Sequence, residues 1–213
     1  MNASSRHANR SRRGFTLIEM IGVLAIIATL AGMLVPRVLS AVSEASISRL
    51  VVNLHWVRSA GTSYVARYGR LGRAGGLPLS LATHAADAAH WDTAVLVPEL
   101  LFEQPFSSRL GLDSFIELVA AEPATADPAT ADNAYDLDGS AVSPSVANEA
   151  SGGDFVLQCR LTGVSPADAR DINRLLDGAA LGVAEGDDTL GRVKYAIDGA
   201  TGLATVRIYL LHK

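Results

Sequence analysis

The chain has 213 residues, a formal net charge of −4 and 49% hydrophobic residues. This length accommodates one membrane-spanning or fibre-core helix and one domain of ordinary size. Cys159 is the only cysteine, so the chain cannot form an intrachain disulfide. Residues 1–14 hold four arginines and no acidic residue, so they carry +4 and the rest of the chain −8. An acidic remainder argues against a nucleic-acid-binding groove, and we expect no nucleic-acid partner.

An apolar segment runs from Phe15 to Val35, directly after the basic leader, and Glu19 is its only charged residue. About 20 apolar residues are what a helix needs to cross a bilayer core. The arginines beside the segment favour a cytoplasmic N-terminus, which places the C-terminal part on the other side of the membrane. A carboxylate at membrane depth is costly and usually has a partner or a function.

Small residues recur at helical spacing along this segment. Glu19, Gly22, Ala25, Thr29 and Gly32 are three or four residues apart, so they share one helix face. Small side chains at this spacing let helix backbones approach closely. Glycine and alanine are also simply common in membrane helices, but an acid on the same face favours packing between helices.

The run Gly14–Glu19, with the sequence GFTLIE, resembles the processing site of type IV prepilins and of the pseudopilins of type II secretion. The resemblance extends from about Arg12 to Pro36. It implies that a prepilin peptidase cuts between Gly14 and Phe15 and methylates the new Phe15 amine. It also implies that Glu19 neutralises the amine of a neighbouring subunit during assembly.

The same resemblance implies the partners: other copies of the chain and other pilin-like subunits, the prepilin peptidase, an inner-membrane assembly platform, and the lipid bilayer. Pro36 interrupts the hydrogen-bond ladder of the helix, so we expect a kink or a loosened turn near residues 32–36. In pilins, a proline at this position marks a stretch that can melt on assembly. We therefore assign assembly roles to Glu19, Gly22, Gly32 and Pro36. Many pilins have a C-terminal cysteine pair, and this chain departs from that pattern.

Two other classes of protein share parts of this pattern. A secretory signal peptide would be cleaved after Val38-Leu39-Ser40. However, the apolar run is longer than usual, Glu19 interrupts it, and the helical pattern continues past that point. An ordinary membrane anchor explains the span but not Glu19. The alternative function is therefore a membrane-anchored or secreted binding domain with no fibre role.

After Pro36 the pattern predicts an amphipathic helix with one buried stripe, which ends at Gly69. At 1.5 Å per residue, a helix from Phe15 to Tyr68 is about 80 Å long, which exceeds what a globular core of this size buries. Seven residues form the predicted stripe: Leu39, Val42, Leu50, Leu54, Val57, Tyr64 and Tyr68.

Residues 69–90 are rich in glycine and alanine and predict a flexible connector. Its glycines lack the preceding strand and the Gly-Lys-Ser/Thr sequence of a phosphate-binding loop. His84 and His90 are six residues apart, which is not the spacing of a helical metal site. Trp91–Phe102 predicts a short helix or turn, with Asp92 as a candidate cap.

Residues 122–154 are rich in Ala, Pro, Ser and Asp and contain the sequence PATAD twice, at 123–127 and 128–132. This composition predicts a mobile acidic surface loop. The stretch Asp136–Gly139 resembles part of a calcium loop, and some pseudopilins bind calcium. Ala134 and Ser145 occupy the first and last ligand positions of that pattern. A solvated acidic turn is therefore favoured, and we expect neither a bound metal nor another cofactor.

Strands are predicted on both sides of this loop, at 114–120 and 155–161, with Cys159 as a buried free thiol. Ser165 and Pro166 are typical of the start of a helix, which Gly178 would end. Residues 192–197 and 203–211 predict a hairpin across 198–202.

These elements predict an α+β fold in which a long N-terminal helix packs on a small, mostly antiparallel four-stranded sheet, as in a pilin-like α/β roll. We divide the chain into a leader (1–14), a transmembrane or fibre-core helix (15–36) and a pilin-like globular domain (37–213). The predicted function is structural rather than enzymatic. The subunit would be stored in the inner membrane as a single-pass protein and polymerised into a periplasmic or extracellular fibre. The sequence contains no nucleophile elbow, zinc spacing or dinucleotide loop.

Overall fold

The order of elements is one long helix, a π-helical turn, two strands, a short helix and two further strands. The computed structural model describes residues 15–71, 90–122, 127, 133–137, 155–178, 180–181 and 186–213. The predicted leader, most of the predicted connector and most of the predicted acidic loop therefore lie outside the described residues. The chain divides into two units, Met1–Val42 and Ser43–Lys213.

Helix α1 runs from Leu17 to Tyr68 and contains Pro36 without interruption. The hydroxyl of Ser40 donates to the carbonyl of Pro36 at 2.9 Å. Gly69 follows with a φ of 83°, and its N–H donates to the carbonyl of Val65 at 2.7 Å. A glycine in the left-handed region is a common helix stop, so the predicted end of the helix is confirmed.

Four antiparallel strands form one sheet in the order β1-β2-β4-β3. The strands are β1 (Asp113–Ala120), β2 (Phe155–Val164), β3 (Val193–Ile197) and β4 (Ala204–His212). The β3–β4 hairpin closes through the carboxylate of Asp198, which accepts the N–H of Ala200 at 2.9 Å and the hydroxyl of Thr201 at 2.8 Å. The predicted α+β fold, a long helix against a four-stranded antiparallel sheet, is confirmed.

The second half of α1 contributes one face to the core of the Ser43–Lys213 unit. Its buried residues are spaced by one helical turn or less, as an amphipathic stripe requires. They are Ile47, Leu50, Leu54, Val57, Ala60, Gly61 and Tyr64. Gly61 lies close to the sheet, since a Cβ on this residue would be 3.0 Å from Cδ2 of Leu157.

Three residues of the predicted stripe lie outside this core. Leu39 and Val42 are 64% and 58% exposed, and both belong to the Met1–Val42 unit. Tyr68 is 41% exposed at the end of the helix, where its hydroxyl donates to Oε2 of Glu99 at 2.6 Å. Ile47, which the prediction omitted, is buried instead. The apolar periodicity begins earlier in α1 than the first buried residue, Ile47. Periodicity alone therefore did not show where burial begins.

Helix α2 (Pro166–Leu176) begins at the predicted cap, because Ser165 Oγ accepts the N–H of Asp168 at 3.1 Å. Gly178 follows the helix with a φ of 80°, as predicted. Asp177 lies between the last residue of α2 and Gly178. Its carboxylate accepts hydrogen bonds from the backbone N–H groups of Arg192 at 2.8 Å and Val193 at 2.7 Å. The end of α2 is thereby tied to the start of β3.

Asp92 opens the π-helical turn Asp92–Leu96 but does not cap it. Its Oδ2 instead accepts the N–H of Phe106 at 2.6 Å, and the residue is buried. The predicted capping role is wrong because the partner lies 14 residues further along the chain, beyond any local spacing rule.

A part of the predicted acidic loop is built into the fold. Ala134, Tyr135 and Asp136 are buried, and Tyr135 packs with Val156 and Tyr209. The prediction of a mobile, solvated segment is wrong for these residues, because the average composition of 122–154 concealed one core tyrosine. Asp138, Gly139 and most of both PATAD repeats lie outside the described residues.

Candidate functional site

Reciprocal hydrogen bonds between Thr16 and Glu19 close the N-terminal end of α1. The backbone N–H and the hydroxyl of Thr16 each donate to Glu19 Oε2 at 2.8 Å. The N–H of Glu19 donates to Thr16 Oγ1 at 3.3 Å. This arrangement is a capping box, in which the acid satisfies donors that the helix leaves unpaired. Thr16 was missed as a site residue in the sequence analysis, although the Thr-x-x-Glu spacing predicts this role.

The capping box determines where the Glu19 carboxylate lies. It turns back toward the first residues of the helix instead of extending sideways, and the helix dipole favours a negative charge at this end. Phe15, the residue that the resemblance places next to the cleavage point, immediately precedes Thr16 and is 83% exposed. Gly14, the other predicted processing residue, lies outside the described residues.

The apolar segment is exposed along its whole length. Every residue from Phe15 to Val42 is exposed, including Leu17 at 79% and Met33 at 75%. Such a continuous apolar surface is unusual for a soluble monomer and marks a membrane or protein interface. In the described part of the chain, α1 is the helix whose length and composition are sufficient to cross a membrane.

The predicted small-residue face is open along its length. A Cβ added at Gly22 or Gly32 would meet no atom within 4 Å outside the adjacent helix backbone. The hydroxyl of Thr29 donates to the carbonyl of Ile26 at 2.8 Å, so it makes its hydrogen bond within the helix. This face therefore has room for the backbone of another helix, which is how small-residue stripes associate.

Gly32 and Pro36 lie one turn apart in α1. Proline has no N–H, so the carbonyl of Gly32 cannot receive the usual hydrogen bond from residue 36. The helix nonetheless continues from Leu17 to Tyr68. The stretch 32–36 is thus a place where the helix is weakened but not ended.

The cysteine and the described histidine that the sequence offers as reactive side chains are placed where they do not favour chemistry. Cys159 is buried, and burial, with a smaller contribution from the charges of Glu117 and Asp92, raises the pKa of its thiol well above the usual value. Protonated, buried thiols are poor nucleophiles. The ring of His90 packs 5.1 Å from that of Phe115, whereas His84 lies outside the described residues. Within the described ranges, no three His, Cys, Asp or Glu side chains form a group suited to a metal ion.

In a comparison with protein families, residues 9–35 match the prokaryotic N-terminal methylation motif. Comparisons with curated proteins and with solved structures give no match. The matched residues include Gly14, Phe15 and the capped Glu19, together with most of the exposed apolar surface. The chain thus carries at residues 9–35 the prepilin-type cleavage and methylation signal, the mark of type IV pilin-like and pseudopilin-like precursors.

Proposed function

We propose that the chain is a structural subunit of a type IV pilus or a pseudopilus-like fibre. It is stored as a single-pass protein of the inner membrane, is cut after Gly14 by a prepilin peptidase, and polymerises through Phe15–Val35. The observation that carries this proposal is the exposed apolar segment Phe15–Val35 of α1, which lies within the methylation motif. A fibre of such helices needs no catalysis by this chain.

Polymerisation through this segment would replace the lipid around each helix with other helices. An apolar helix gains little from hydrophobic burial when it leaves lipid, so association depends on close packing and polar pairing. Gly22 and Gly32 provide room for close packing. Glu19 provides the polar group, and the amine of Phe15 in the next subunit is its proposed partner.

The capping box supports a role for Glu19 in setting the register of the fibre. The carboxylate is held within the first turn of the helix by Thr16. Pairing with an amine at the start of the next helix would therefore fix the two helices in one axial position. Removing one partner of a buried charge pair costs about 3–5 kcal/mol, whereas the net stabilisation by the intact pair is often small. Glu19 would thus select the correct register more than it strengthens the fibre.

Processing is tested by mass spectrometry of the mature chain. We expect it to begin with a methylated Phe15, because the basic leader ends at Gly14. The variant Gly14→Val should leave a longer, membrane-bound precursor. A mature chain that starts at Ala41 would instead identify a secreted protein.

Polymerisation is tested with Glu19→Ala and the matched control Thr16→Val. The first variant removes the carboxylate, whereas the control removes the capping hydroxyl and keeps the carboxylate. Processing and membrane insertion should survive in both, since the leader is unchanged and the apolar segment is at least as apolar. Sheared fibres should fall at least tenfold in Glu19→Ala and much less in Thr16→Val. Normal fibre yield from Glu19→Ala would contradict charge pairing and favour a simple anchor.

A further inference from the structure

A groove on the Ser43–Lys213 unit lies between α1 and the segment that follows the π-helical turn. Asn53 and Trp56 of α1 line one side and residues 100–107 the other, around a volume of about 600 Å³. Trp56 is 66% exposed and Leu100 is 91% exposed. Two large apolar side chains exposed at one groove are typical of a protein-binding surface.

Leu100 combines an exposed side chain with a strained backbone conformation. Leu100 has a φ of 56°, in the left-handed region that residues other than glycine seldom adopt. Its N–H donates to the carbonyl of Val97 at 3.0 Å, which closes the turn. Strained residues cluster at binding sites, where the contact they make offsets the cost of the conformation.

The lining of the groove carries one negative charge among the residues that the structure describes. Glu103 is the charged residue among the described residues that line it, and its side chain is exposed. Within the part of the chain that the structure describes, Glu103 forms no ion pair. The other lining residues combine apolar side chains, such as Trp56 and Leu100, with the uncharged polar side chains of Asn53, Gln104 and Ser107. The lining therefore suits a helix face that presents apolar side chains and one positive charge.

We propose that this groove receives residues 34–42 of a second copy of the chain. Arg37 is the only charged residue between Glu19 and Glu44. Leu34, Val38 and Val42 are spaced by four residues on one side of α1 and are 61%, 49% and 58% exposed. Arg37 is also exposed and pairs with no acid among the described residues.

This contact is a helix seated in a groove of mixed polarity and oriented by one ion pair. Trp56 and Leu100 would cover the apolar side chains, and Glu103 would meet Arg37. Exposed ion pairs add little affinity but do discriminate against wrong partners.

The contact joins two different surfaces, the groove of one copy and residues 34–42 of another. Every copy of the chain has both surfaces. Such a heterologous interface propagates from copy to copy and forms an open filament unless it closes into a ring. The inference rests on the proposed function and adds to it, since it assigns the outer contact between subunits as well as the central helix.

Charge exchange tests the ion pair in the full-length, processed protein. Arg37→Glu and Glu103→Arg should each reduce sheared fibres at least fivefold at an unchanged level of membrane-bound subunit. The double variant Arg37→Glu/Glu103→Arg should recover at least half of the wild-type yield. Arg67→Glu, an exposed control with the same change in charge, should assemble normally. Single variants that assemble like the wild type, or a double variant without recovery, would overturn the proposal.

Engineered cysteines test the same contact without altering its charges. The natural cysteine, Cys159, is buried, so it should not form cross-links between subunits. The test variant combines Val38→Cys with Leu100→Cys in one chain. Mild oxidation of fibres should produce a ladder of covalent multimers from the double variant and monomers from each single variant. Dimers from Leu100→Cys alone would show two grooves facing each other and overturn the proposal. Wild-type cells without fibres would overturn the proposed function together with the inference, whereas normal fibres without a ladder overturn the inference alone.

Discussion

Gly61 sets how closely α1 approaches the sheet. A Cβ at this position would lie 3.0 Å from Cδ2 of Leu157 and 3.6 Å from Cδ2 of Leu211. Leu157 is buried in the core, so it has little freedom to move away. A glycine in a helix interior lowers helix propensity, and here its lack of a side chain permits close packing.

Gly61→Leu should therefore destabilise the fold by overpacking, by about 1–3 kcal/mol. Thr62→Leu, one residue away on the exposed side of α1, should change stability by less than about 0.5 kcal/mol. Urea unfolding of a soluble fragment beginning at Ser43 measures both. Equal stabilities of the two variants would show that the sheet does not restrict this position.

Tyr135 begins a short row of buried polar groups on the sheet. Its hydroxyl donates to Oε1 of Gln158 at 2.5 Å, and Nε2 of Gln158 donates to Oε1 of Glu117 at 2.7 Å. Tyr135→Phe removes the first donor but keeps the ring, so it should cost about 1–3 kcal/mol of unfolding free energy.

Tyr68→Phe is the matched control for this change. Its hydroxyl also donates to an oxygen, Oε2 of Glu99, but at an exposed site where water replaces the lost hydrogen bond. We expect a smaller loss, within about 0.5 kcal/mol, in the same urea measurement. A neutral Tyr135→Phe would mean that the hydroxyl of Tyr135 does not support the fold.

At the scale of secondary structure, Asp177 connects α2 to β3 and gives the fold a pH dependence. Burial raises the pKa of its carboxyl, although the N–H groups of Val193 and Arg192 act against this rise. A raised pKa in the folded state means that the folded chain holds this proton more tightly than the unfolded chain. The contribution of Asp177 to stability therefore increases as pH falls toward the usual aspartate pKa, and decreases as pH rises through the folded-state value.

The difference in unfolding free energy between the wild type and Asp177→Asn isolates this group. It should shift in favour of the wild type when pH is lowered from 7 to 4, because only the wild type takes up the proton. Urea unfolding at several pH values measures the difference. A shift in the opposite direction would show that the two backbone hydrogen bonds outweigh burial.

Elements defined by local patterns were predictable from the sequence, and contacts between distant residues were not. The long apolar periodicity predicted α1, and Ser165, Pro166 and Gly178 predicted the ends of α2. Asp92 and Tyr135 were misjudged because their partners, Phe106 and Gln158, lie 14 and 23 residues away. In the candidate site, Glu19 was recognised from its motif, whereas its local partner Thr16 was overlooked. The groove beside Trp56 had no sequence signal, because a turn far along the chain forms its other side.

For the whole molecule, the core cluster marks the smallest part of the chain that should fold. Among the described residues, the buried members of this core lie between Ile47 and Leu210. A fragment starting at Ser43 should therefore unfold cooperatively on heating, whereas one starting at Val57 loses Ile47, Leu50 and Leu54 and should not. Circular dichroism of the two fragments measures this. A cooperative transition in the shorter fragment would show that the first turns of the α1 stripe are dispensable.

The capping box leaves one oxygen of the Glu19 carboxylate open. Both hydrogen bonds from Thr16 end on Oε2, so the box does not occupy Oε1. Under the proposed function, the amine of the next subunit can bind Oε1 while Thr16 still holds Oε2. A stored subunit would then carry its carboxylate already oriented for the amine, and subunit addition would not require the end of the helix to open first.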